Sequence, residues 1–125
     1  MEIQIIDNKK DKAQVSTAIG CFYGTWCSST PVISKKYIVE LDCDDILTSD
    51  VVELSPSFNP RIEYAGQAVN ITGFVEEIQD QVMILRIQKS LMMLEISSDL
   101  DFVQYIGHYV RITLSEIKLY DIGIY

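Results

Sequence analysis

"QAVNITGFVEEI", residues 67 to 78, is the stretch on which the fold turns. Val69, Ile71, Gly73 and Val75 share one parity, as the buried side of a strand does when successive side chains point to opposite faces. Ile78 falls on the other parity, so the apolar side changes part-way along and a bulge or bend is expected between Gly73 and Glu77. A long strand that changes face serves two packed layers. That geometry belongs to small closed barrels and to sandwiches whose strands pass from one sheet to the other.

"HYVRITLSEIKLYDI", residues 108 to 122, repeats the device: Val110, Ile112 and Leu114 lie on one parity, Ile117 and Leu119 on the other. Between the two, "QVMILRIQ" and "SLMMLEIS" read as a hairpin that is apolar on nearly both faces, and such strands call for cover on two sides. "SSDLDFVQYIG" carries helix signals, with Ser97 or Ser98 as cap, acids in the first turn and Gly107 as the stop. Upstream, the alternation of Ala13, Val15, Thr17, Ile19, Cys21 and Tyr23 predicts one long half-buried strand, after which the turn-rich "TWCSSTP" should be a loop presenting Trp26. "KYIVELDCDD", residues 36 to 45, is the next strand; Pro56 and Pro60 then interrupt regular structure. No internal repeat or low-complexity segment is visible.

A long bent strand, a hairpin, a short helix and another long bent strand, in that order over residues 66 to 120, resemble the oligonucleotide/oligosaccharide-binding (OB) fold. The fold class expected is all-β, mainly antiparallel, with one short helix, as a small OB-like barrel or a β-sandwich. Residues 1 to 125 are expected to form a single domain, a length at which roughly two thirds of the unfolded surface can be buried.

Hydrophobic residues make up 48% of the chain and charged residues 22%, an ordinary globular balance. No apolar run reaches the ~18 residues of a membrane span, and "MEIQIIDNKKDKAQ" is charged where a signal peptide is apolar, so the expectation is a cytoplasmic protein with no membrane partner. Three cysteines without a framework spacing point to reduced thiols; Cys21 and Cys43 share the inward parities of their strands, whereas Cys27 is expected to be exposed. With 18 acidic against 10 basic residues the net charge is -8, which repels phosphate backbones at long range and suits a basic partner.

Glu40, Asp42, Asp44, Asp45, Asp50 and Glu53 fall close together with no Lys or Arg among them. They lack the Gly and Glu of a calcium loop in register, so no metal or other cofactor is expected. Same-face carboxylates on a strand are roughly 6.5 to 7 Å apart, which a glycosidase could use, but nothing supplies a raised pKa or a cleft. The lone His108 has no nucleophile or metal beside it in the pattern. An enzyme is therefore not expected. Two readings of the acids remain: a solvated strand face, or a docking ridge on which Trp26 anchors the rim.

In size, acidity and β-rich pattern the chain resembles the immunity proteins of bacterial toxin systems, including contact-dependent growth inhibition. The resemblance implies a protein-binding inhibitor whose acidic surface covers a basic toxin domain, often a nuclease. The alternative is an OB-type accessory module binding nucleic acid or a small ligand, for which Phe74, Tyr109 and Arg111 are the candidates.

If Leu41 points inward and Asp42 outward, Leu41→Asp buries an unpaired carboxylate at a cost of several kcal/mol out of the ~5 to 15 kcal/mol of a domain. Circular dichroism should then show no cooperative melt. Asp42→Lys should shift stability by only about 0.5 kcal/mol.

Overall fold

Alternation of buried and exposed side chains recurs through most of the chain, and strands account for nearly all of its regular structure. In the computed structural model, which describes residues 1–123, these are β1 (Glu2–Lys9), β2 (Lys12–Thr17), β3 (Gly20–Trp26), β4 (Lys36–Asp42), β5 (Ile46–Leu47), β6 (Val52–Leu54), β7 (Arg61–Ala65), β8 (Ala68–Gln79), β9 (Val82–Ile87), β10 (Ser90–Ile96), β11 (Tyr109–Leu114) and β12 (Lys118–Asp121). One short helix, α1 (Asp99–Phe102), follows Ser98 and continues as a 3₁₀ turn, Val103–Tyr105, before Gly107 turns the chain at φ 81°. The architecture is all-β, mainly antiparallel and barrel-like.

Strands β1, β2, β3, β12 and β4 close into a barrel, because β4 returns to pair with β1. The remaining strands form a sheet in the order β5, β10, β9, β8, β11, β6, with β7 also paired to β8. The OB-like order of elements is present over residues 68–114, but the closed barrel is built from the N-terminal strands and β12. Buried side chains of both layers form one continuous cluster, from Ile3 and Phe22 to Leu85 and Leu119.

The bend expected in β8 is a register shift against β9 between Val75 and Glu77. Gly73 permits it: a Cβ there would stand 2.8 Å from the Arg86 carbonyl oxygen. The second parity change is a break between β11 and β12, which lie in different layers. One expectation fails. Residues 13–24 are not a single strand but a hairpin, turned at Ala18 and Ile19, where Thr17 Oγ1 accepts from the Ile19 amide at 3.0 Å and donates to the Gly20 carbonyl at 2.9 Å. Directly opposed residues share a face, and the pairing of Val15 with Phe22 turns Phe22 inward and leaves Cys21 and Tyr23 exposed.

The halves of the chain also repeat each other. A shift of 70 residues carries the β1–β2–β3 pairings onto β8–β9–β10: Lys9↔Lys12 becomes Gln79↔Val82, and Thr17↔Gly20 becomes Ile87↔Ser90. The same shift carries the hydrogen bond from the Trp26 amide to the Asp11 carbonyl onto that from Ile96 to Gln81. Between residues 3–28 and 73–98 the only identity is Ser28 with Ser98, so the repeat lies in burial (Ile5 with Val75, Phe22 with Met92, Trp26 with Ile96) and not in residue type. Each repeat contributes its last strand to the other: β5 runs parallel to β10, and β12 parallel to β3.

Gly20, at φ 138°, lets β7 lie against β3, since a Cβ would fall 2.1 Å from the Ile62 carbonyl oxygen. Gly20→Ala should therefore cost ~2 kcal/mol or more, lowering the melting temperature by ~8 °C in a calorimeter.

Candidate functional site

The acidic strand alternates as its sequence implies. Tyr37, Val39, Leu41 and Cys43 are buried, while Glu40 and Asp44 are exposed and Asp42 is half-buried. β4 holds them there because β1 and β12 pair along its two edges, which leaves one face for the core and one for solvent.

Beside this face runs the outer side of β10. A cleft of about 360 Å³ is lined by Glu40, Leu41, Asp42, Leu91, Met93 and Tyr120. A second, of about 330 Å³, shares Asp42 and Met93 with it and adds Asp44, Val82 and Glu95. Together they make a groove with an apolar floor and an acidic rim. Met93 is 64% exposed and Leu91 48%, large fractions for side chains of this kind. Lys118 pairs with Asp44, which raises the lysine pKa through their hydrogen bond, but the balance of formal charge in the groove stays negative.

Burial pushes the Cys43 thiol up to about 11, and the charges of Asp45, Asp42 and Asp44 push in the same direction, so it remains a protonated, weakly nucleophilic thiol at neutral pH. The Tyr120 hydroxyl titrates above its usual range, chiefly through its hydrogen bond with Cys27. Among the described residues no three His, Cys, Asp or Glu side chains converge as a group that could hold a metal ion.

Three of the seven residues expected at a docking surface, Glu40, Asp42 and Asp44, line this groove; the others are placed elsewhere. Trp26 ends β3 and is buried, its ring edge-on to Tyr37 at a centroid distance of 5.0 Å and its Nε1 donating to the Ser29 carbonyl. It is a core residue, because the hairpin turn brings it onto the inward parity. Asp45 is tied to the corner between β11 and β12, accepting from the Ser115 amide at 2.8 Å and the Ser115 hydroxyl at 2.6 Å. Asp50 accepts from the Thr48 hydroxyl at the 3₁₀ turn Ser49–Val51. Glu53 lies on β6, at the opposite edge of the sheet from β10, and pairs with Arg111 at 3.2 Å. The acidic run is thus partly neutralised by cations that lie far away in sequence.

Leu91, Met93, Glu95 and Tyr120 complete the groove and were not singled out from sequence. A signal existed: the hairpin of β9 and β10 is apolar on both faces, yet no described element covers its outer side at Leu91 and Met93.

Phe74, Tyr109 and Arg111 also come together, on the outer face of the sheet. Tyr109 and Phe74 are paired across β11 and β8 with ring centroids 5.4 Å apart, and Phe58, 75% exposed, packs on Tyr109 at 5.7 Å. The chain's three arginines, Arg61, Arg86 and Arg111, stand on this face in line with Thr72 and Phe74. Each is ion-paired, to Glu63, Glu76 and Glu53 respectively.

No family model, no curated protein and no solved structure matches the chain.

Exposure and pKa together order the thiols. A disulfide reagent at pH 8 should modify Cys21 and Cys27 in the native protein and spare Cys43, which should react only after denaturation; native-state labelling of Cys43, read by mass spectrometry, would contradict its burial.

Proposed function

We propose that the protein is a binding inhibitor of the immunity type, whose groove between β4 and β10 covers a basic surface of a toxin partner. The observation that carries this reading is the exposed apolar floor of Leu91, Met93 and Tyr120 rimmed by Glu40, Asp42, Asp44 and Glu95. Each component has a separate task. Apolar side chains that are exposed in the free protein gain by leaving water, which supplies the affinity of a contact. Carboxylates around them attract a cationic partner, speed encounter and penalise an anionic one. On this reading Glu40 and Asp42 engage the cations with which a nuclease partner binds phosphate. A soluble location inside the cell that makes the toxin belongs to the same reading.

The face of Phe58, Phe74 and Tyr109 with the three arginines supports a second reading, an OB-type module for single-stranded nucleic acid. It is the weaker of the two because every arginine there already has a carboxylate partner and the chain carries a net charge of -8. Binding of a single-stranded oligonucleotide at low salt, lost in Arg86→Glu, would favour it.

For the first reading, the partner captured from the native host should be basic, should be retained at ~50 mM salt and released near ~500 mM, and should lose its toxicity or nuclease activity when the protein is added back. Glu40→Lys with Asp42→Lys should abolish capture while the thermal melt moves by ~1 kcal/mol or less, because both side chains lie on the solvent side of β4. Capture indifferent to salt and to this double reversal would refute the proposal.

A further inference from the structure

The internal repeat shows what is missing beside β10. In the first half β7 lies along β3: the Ile62 amide donates to the Ile19 carbonyl at 3.1 Å, the Ile62 carbonyl faces Gly20, and Tyr64 packs edge-on against Tyr23 with centroids 5.2 Å apart. The 70-residue shift carries Ile19, Gly20 and Tyr23 onto Lys89, Ser90 and Met93. No described strand pairs with them on the side away from β9. β5 pairs with β10 only at Glu95 and Ile96, so Ser90–Leu94 is hydrogen-bonded to β9 on one side and, among the described residues, to no strand on the other, where β4 faces it across the groove. At the start of β10 a separate cleft of about 580 Å³ is lined by Met1, Glu2, Gln88, Lys89 and Ser90, among others.

The open edge has a definite polarity. In the two-residue hairpin, Ile87 and Ser90 close the turn as a pair, and the Ile96 amide donates toward β9, to the Gln81 carbonyl. Even-numbered residues of β10 therefore bond to β9, and Leu91 and Met93 direct their backbone N–H and C=O groups to the open side. The amide of Ser97, also odd-numbered, donates to Leu47 on that side. An exposed, unpaired edge of apolar residues is a template for another strand.

We infer that the groove takes an extended, cationic segment of the partner, added as a strand to the edge of β10 at Leu91–Met93 in the place that β7 takes against β3. This rests on the groove reading proposed above and specifies how the partner is held. Charge complementarity selects the occupant: Glu40, Asp42, Asp44 and Glu95 line the groove beside the edge, while the nearby cations Lys118 and Arg86, the latter opposite Leu91 on β9, are already paired to Asp44 and Glu76. An added strand presents alternate side chains to opposite faces. Lysine or arginine at every second position would meet the carboxylates, and the apolar residues between would cover Leu91 and Met93.

The test uses the whole protein and an acetylated eight-residue peptide of alternating lysine and valine, with a second peptide N-methylated at every backbone nitrogen so that neither edge can donate. Amide exchange at Leu91 and Met93, followed by NMR, should slow by ~10-fold or more on saturation with the first peptide and not with the second. Met93→Pro removes one edge N–H while leaving the bonds to β9, and should likewise abolish binding. The N-methylated peptide gives the same information without altering the protein. If the peptide binds, loses affinity ~10-fold in Asp42→Lys, yet is indifferent to N-methylation and leaves Leu91 and Met93 unprotected, strand addition is overturned and the groove reading survives. Binding indifferent to Asp42→Lys as well as to N-methylation overturns both. No perturbation of β10 at millimolar peptide overturns strand addition.

Discussion

The parallel pairing of β12 with β3, Lys118 with Thr25 and Leu119 with Trp26, closes the barrel, and the rest of the molecule depends on that closure. β12 also pairs antiparallel with β4 from Lys118↔Asp42 to Asp121↔Val39, so the last described strand is inserted between two early ones. The reciprocal step places β5 against the end of β10, where the Ser97 amide reaches Leu47 just as the Cys27 amide reaches Leu119, both at 2.9 Å. Each half lacks its final strand until the other supplies it. The buried residues of the two halves form one cluster.

The exchange also builds the groove. β4 is held with its acids outward because β12 occupies one of its edges, and the Lys118 that pairs with Asp44 arrives on the same strand as Tyr120. β5 takes only the last residues of β10, so the remaining edge faces β4 across a gap. The two halves then differ in one respect. The start of β3 is approached by β7, through Ile62 and Tyr64, and no described strand stands in the corresponding place beside β10. A near-symmetric frame thereby carries one satisfied and one unsatisfied surface, and the unsatisfied one is where apolar exposure and negative charge coincide.

Much of the fold was legible in the chain. The bend in β8, the hairpin of β9 and β10, the short helix with its glycine stop and the outward acids of β4 all follow from local parity and turn chemistry, which act over a few residues, although Ser98 precedes the helix without a side-chain capping bond. The misreadings have equally physical origins. Ala18 and Ile19 form a two-residue turn without the Asn-Gly or Gly-Gly signature, so the alternation through residues 13–24 passed for one strand and put Cys21 inside. Trp26 was read as a loop residue from the turn-rich "TWCSSTP", whereas β3 runs on through it and buries it. The internal repeat escaped because its copies share burial and register but almost no residue identities.

By itself, then, the sequence determined the class of structure, the faces of its longest strands and the acidic character of β4, since these depend on side-chain periodicity and formal charge. Tertiary structure alone decided which acids matter. Arg111 and Lys118 come from strands more than fifty residues away to engage Glu53 and Asp44, and Ser115 engages Asp45, so an apparently continuous run of charge is divided among separate partners. It alone decided, too, that Leu91 and Met93 stand uncovered, because cover is a property of which strand lies beside which edge. That arrangement is set by long-range pairing of β12 with β3 and of β5 with β10, and no local pattern of residues encodes it.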